Sequence, residues 1–166
     1  MEEPDVRPLK NIYDGPIDLL AKARRDREAL QLAVNESNEL VLRDKLFDFS
    51  LTAYHIVDWV KAFHPDLAPA AYALLNAVPA LGACRDLANA NKHFALALER
   101  GPYRSHPPTV GQVDYSAAPP VSADLPTARR WLKVVLVEGT RLRVEDVVDQ
   151  ALSAWEKFFT DHGLAP

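Results

Sequence analysis

Cysteine is almost missing from this chain: Cys84 stands alone among 166 residues. That excludes an internal disulfide and any metal site built from several cysteines, and it suits a reducing compartment. Glycine is scarce too. The six glycines are scattered, so no Gly-rich phosphate loop exists, and no Gly-x-Ser-x-Gly elbow marks a hydrolase nucleophile. The Glu-x-x-His pairs of di-iron bundles are absent. No long hydrophobic run is present either. The longest charge-free stretch, Leu67 to Cys84, is interrupted by Pro69, Pro79 and Gly82, which makes it too short and too broken for a membrane span. The opening residues MEEPDVRPLKN show no basic segment followed by an apolar one, so no signal peptide is expected. The net charge of −4 rules out a bulk polycation but leaves room for a local basic patch. These absences predict a cytoplasmic protein that uses no metal, no cofactor and no membrane.

What is present is an ordinary globular mixture, 48% apolar and 25% charged, long enough for one domain with a proper core. Residues 1–15 read as an extended arm, and 16–163 as a single helical-bundle domain. Asp14-Gly15-Pro16 is a helix-start signal, opening a helix from about Pro16 to Val34. A second helix is expected from about Asn38 to Phe63, with Ser37 or Asn38 as its N-cap and His64-Pro65 as its end. Within it Leu42, Leu46, Phe49, Ala53, Ile56, Val60 and Phe63 repeat at alternating spacings of four and three, the pattern of bundle packing. Leu40, Phe47, Leu51 and Tyr54 form a second stripe roughly opposite. Such a helix is either central in the bundle or partly covered by a second subunit.

Pro69 to Ala77 reads as a short helix, and Pro79 opens a longer one to about Glu99. Six of the thirteen prolines fall between Pro102 and Pro126, so 102–127 is a connection rather than a helix, with Thr109 to Tyr115 as a short strand within it. Trp131–Val137 and Thr140–Val144 flank the turn at Glu138-Gly139 and predict a β-hairpin, 131–144. A last helix runs from about Glu145 to His162. The expected fold is mainly α: a four- to five-helix bundle with a β-hairpin inserted before the C-terminal helix. Trp131, Trp155 and Tyr103 are expected to pin the hairpin and last helix to the bundle. Cys84 is expected to be inert packing.

The functional question centres on CRDLANANKHFAL, Cys84 to Leu96. On a helical wheel Ala80, Cys84, Leu87, Ala88, Asn91, Phe94, Ala95 and Leu98 share the core side. Arg85, Asn89, Lys92 and His93 share an arc of about 100° on the other side, bordered by Asp86. The helix therefore gathers a guanidinium, an amide, an ammonium and an imidazole. Two readings stay open: a ligand or catalytic face, or polar groups that are solvated or tie helix ends together.

This stretch resembles the signature of the HEPN superfamily (higher eukaryotes and prokaryotes nucleotide-binding domains), in which an Arg, a polar residue and then a His lie on a late helix. Arg85, Asp86 and His93 match in type and order. This chain leaves seven residues between Arg and His, more than the family usually does. The chain is also similar to uncharacterised bacterial proteins with an RDLAN-x-x-KH helix. The HEPN resemblance implies a small, usually dimeric helical bundle. It also implies a metal-independent endoribonuclease or RNA-binding effector of a toxin–antitoxin or antiphage system. His93 would move a proton, Arg85 would stabilise phosphate charge, and Asp86 or Asn89 would orient one of them. Lys92 would contact the nucleic-acid backbone.

The basic run KARRDR, Lys22 to Arg27, offers Arg24 and Arg25 as further phosphate contacts, or as a solvated face paired with nearby acids. Tyr54, His55 and Asp58 place an imidazole near a carboxylate, a weak suggestion of metal binding together with His64 and His93. The alternative function is a non-catalytic helical interaction module, such as an antitoxin, immunity or scaffold subunit with a cognate protein partner.

Overall fold

The computed structural model describes residues 12–36, 38–93, 110–117, 130–136 and 141–164, at 39, 90–93, 110–117 and 130–136 as backbone alone. In chain order the elements are α1 (Pro16–Asn35), α2 (Glu39–Phe63), a 3-10 turn (Pro65–Leu67), α3 (Ala68–Ala77), α4 (Pro79–His93), β1 (Val110–Ala117), β2 (Arg130–Leu136), β3 (Arg141–Arg143) and α5 (Val144–Asp161). The fold is mainly helical, and β2 and β3 form the antiparallel hairpin ahead of the last helix. β1 joins the same sheet by pairing antiparallel with β2, in the order β1-β2-β3. Val144, expected to end the hairpin, instead begins α5. The segment 94–99, expected as the continuation of the α4 helix, lies outside the described residues.

Local chemistry sets the helix ends. Pro16 occupies the first turn of α1, where its missing N–H has no helical partner to lose. The Asp14 amide donates to the Asp18 carboxylate at 2.7 Å. Asn38 caps α2, its side-chain oxygen accepting from the Val41 amide at 3.2 Å. Pro65 stops α2 and begins the 3-10 turn. After α5, Gly163 takes φ +66°, and the Leu164 amide donates to the Phe159 carbonyl at 2.8 Å. That closing turn needs the left-handed backbone glycine adopts freely.

α2 is the central helix, lying against α1, α3, α4 and α5. Its four-three stripe is buried from Leu42 through Val60 and emerges only at Phe63. On the second stripe Leu40 is exposed, while Phe47, Leu51 and Tyr54 are half-buried. α5 contributes Val144, Val147, Val148, Ala151, Trp155, Phe158 and Phe159 to the same core. The Trp155 indole, fully buried, donates from Nε1 to the Ala53 carbonyl of α2 at 2.9 Å. Trp155 thus joins the last helix to the bundle as expected. Tyr103 and the Trp131 side chain, given the same role, lie outside the described residues. Among the described residues, no single helix is long and apolar enough to cross a membrane.

Candidate functional site at the α3–α4 corner

α3 and α4 meet across Val78, and their axes bend by 93°. Pro79 opens α4, and the small residues Ala80, Gly82 and Ala83 let neighbouring helices approach closely. The consequence is burial on every side. Residues 80–86 are all buried, with α4 lying against α2, α3 and α5. The wheel's division into a core side and an open polar side therefore fails for this part of the helix. Arg85 and Asp86 are not on a solvated face: their side chains are 8% and 0% exposed.

Buried charge requires partners, and α4 supplies one itself. Arg85 Nε donates to Asp86 Oδ1 at 2.9 Å. A second comes from α3: Arg85 Nη1 donates to Asn76 Oδ1 at 3.2 Å. Asn89 reaches the backbone of its own helix. Its Nδ2 donates to the Arg85 backbone carbonyl at 2.9 Å, so it braces the helix one turn below. Asn76 was not foreseen. The available signal was that it is, with Tyr72, one of two side chains bearing a polar group in the otherwise apolar α3.

Lys92 and His93 belong to the last turn of α4, and their side chains lie outside the described residues. Along the backbone His93 stands two turns beyond Arg85, about 12 Å down the axis at 1.5 Å per residue.

Cys84 adjoins this cluster and faces the core. It is fully buried. Burial pushes its thiol up to about 12, with the neighbouring Ser50 opposing part of that rise. A thiol so protonated is no nucleophile at neutral pH.

The basic run on α1 is consumed by acids, chiefly those of α5. Arg24 Nε donates to Glu156 at 2.7 Å and Arg27 Nε to Asp149 at 2.9 Å. The hydrogen bond and charge of Asp149 hold the Arg27 guanidinium above its usual value. Lys22 bonds Asp26 and the Thr52 hydroxyl of α2, at 2.5 and 2.8 Å. Arg25 is exposed. Of the two expected phosphate contacts, then, Arg24 is already engaged by a carboxylate, and its partner lies on another helix rather than among the neighbouring acids. His55 Nδ1 lies 3.1 Å from Asp58 Oδ2 on the exposed side of α2. Among the described residues, no group of three or more His, Cys, Asp or Glu side chains is placed to hold a metal ion.

The corner can do two things chemically. It can lock α3 to α4 through a guanidinium held at two points. It can also keep that guanidinium in one fixed orientation. No protein-family model matches this chain, and neither a curated protein nor a solved structure matches it.

Proposed function

We propose that this chain is a HEPN-like bacterial protein that acts on RNA without a metal, as an endoribonuclease or RNA-binding effector of a toxin–antitoxin or antiphage system. It works in the cytoplasm as a homodimer. The observation that carries the reading is the Arg85 guanidinium, fixed by Asp86 and Asn76 on the helix that bears His93. A guanidinium held in one orientation is prepared to meet phosphate charge without reorganising. In this reading His93 moves the proton when a ribose 2′-hydroxyl attacks the adjacent phosphate. Arg85 stabilises the charge that develops, Asp86 orients Arg85, Asn89 braces the helix between them, and Lys92 adds backbone affinity. A dimer brings two copies of α4 to one cleft.

One observation favours a second reading. With its side chain 8% exposed and Asp86 fully buried, the pair also has the character of a structural ion pair. That supports a non-catalytic interaction module, an antitoxin, immunity or scaffold subunit whose partner is a protein.

The deciding experiment is RNA cleavage by the purified protein in EDTA, with His93→Ala and Arg85→Lys beside the wild type, each checked for fold and oligomeric state. The RNase reading expects 2′,3′-cyclic phosphate ends from the wild type and loss of cleavage in folded His93→Ala. Intact RNA after exposure to the wild type, across varied sequences, with no RNA binding either, transfers the assignment to the interaction module.

A further inference from the structure

We infer that the groove between α1 and α5 binds a small zwitterion, a free α-amino acid with an aliphatic side chain. This site is built from α1 and α5 alone and does not rest on the RNA reading. The groove has a volume of about 480 Å³, within the size range of small-molecule sites. α1 lines it with Arg24 and Arg27, and α5 with Asp149, Leu152, Ser153 and Glu156. Arg24 pairs with Glu156 and Arg27 with Asp149, so the two helices run in opposite directions here and the ion pairs stand across the groove as two struts. The seven-residue step from Asp149 to Glu156 is about 10 Å of helix. Leu152 and Ser153 fall midway along it, between the struts.

The two walls carry opposite charge. The α5 wall presents two carboxylates. The α1 wall presents two guanidiniums, offset in part by Glu28 at its end. Each acid takes the Nε of its arginine, at 2.7 and 2.9 Å. Among the described residues no other hydrogen bond engages either guanidinium. The Nη1 and Nη2 edges therefore face the groove already oriented, in the fork that suits a carboxylate.

That division of charge selects its ligand. A polyanion is repelled by the α5 acids and a polycation by the α1 arginines. A molecule with one charge of each sign, held close together, is repelled by neither. The carboxylate of an amino acid lies toward Arg24 and Arg27, and its ammonium toward Asp149 and Glu156. Leu152 gives an aliphatic side chain an apolar contact, and the Ser153 hydroxyl supplies a further polar one. Arg24, Glu28, Asp149 and Ser153 are exposed, so the ligand enters directly from solvent.

The test is calorimetric titration of the full chain with L-leucine and two analogues that each lack one charge, 4-methylpentanoate and 3-methylbutylamine. Leucine is expected to bind saturably with a Kd of about 1 mM or tighter, the range a few screened charge contacts support. Each analogue should bind at least about tenfold more weakly. Arg27→Gln and Asp149→Asn, one on each wall, should each weaken leucine binding by about tenfold with the melting temperature nearly unchanged. Lys157→Ala, whose side chain bonds Asp161 outside the groove, should leave it as it was. No saturable leucine binding overturns the inference. So does an analogue that binds as well as leucine, or undiminished binding in either folded groove variant.

Discussion

Trp155 of α5 and Ala53 of α2 are joined by a 2.9 Å indole-to-carbonyl hydrogen bond between two fully buried residues. One helix gives its backbone oxygen and the other its largest side chain. Trp155→Phe removes the donor and leaves a void where the larger ring stood. The expected loss is about 2 kcal/mol of unfolding free energy, read from the midpoint of a urea melt. An unchanged midpoint would mean the indole is not seated as described.

The Arg85–Asp86 pair invites a double-mutant cycle. Removing one member of a buried ion pair strands the other charge, so Arg85→Met and Asp86→Leu are each expected to cost about 3–5 kcal/mol. The double variant removes both charges together. It should be more stable than the sum of the single losses implies, by at least about 1 kcal/mol. Additive losses would show that the two side chains do not depend on each other.

Cys84 predicts an alkaline limit to stability. Its thiol titrates at the ordinary value of 9.0 when unfolded and at about 12 when folded. Above the lower value the unfolded chain releases a proton that the folded chain keeps, so the unfolded state binds fewer protons and stability falls as pH rises. The contribution is complete below pH 9.0 and declines toward about 12. Urea melts across this range should show that slope, and Cys84→Ala should flatten it whatever it does to stability at neutral pH. The same burial predicts that a disulfide reagent at mildly alkaline pH labels Cys84 only as fast as the bundle opens.

The α1–α5 ion pairs predict small effects. Arg24, Arg27, Asp149 and Glu156 are each more than a third exposed, so solvent screens both pairs. Arg24→Ala and Arg27→Ala should each change stability by about 0–1 kcal/mol, less at high salt. Arg24→Ala should leave RNA affinity nearly unchanged, since Glu156 already holds that guanidinium. Arg25→Ala, at an exposed position, should weaken binding and lower its salt dependence by about one ion if the basic run touches phosphate at all.

Much of the architecture was legible because it is local. The four-three spacing along α2 marked the residues that are buried, and Asn38, Pro16 and Pro65 stand at the helix ends where capping and steric rules put them. The site was less legible because its geometry is not local. A helical wheel assumes one buried side, and α4 is enclosed by three helices over its first two turns. The wheel could not know this, so it sent Arg85 to an open face. Asn76 belongs to another helix and meets Arg85 only because the chain turns sharply at Val78. Arg24 and Arg27 find partners 132 and 122 residues away, beyond any reading of neighbouring charges.

The contact between Trp155 and Ala53 spans 102 positions of the chain, and this bears on how the protein is made. During synthesis α1 and α2 leave the ribosome together and can pair at once, as neighbours in sequence do. The seam they turn toward α5 has no cover until Phe159 has emerged from the ribosome. Nascent chains halted before that point carry an uncovered apolar surface along the central helix. They are the species on which chaperones would act.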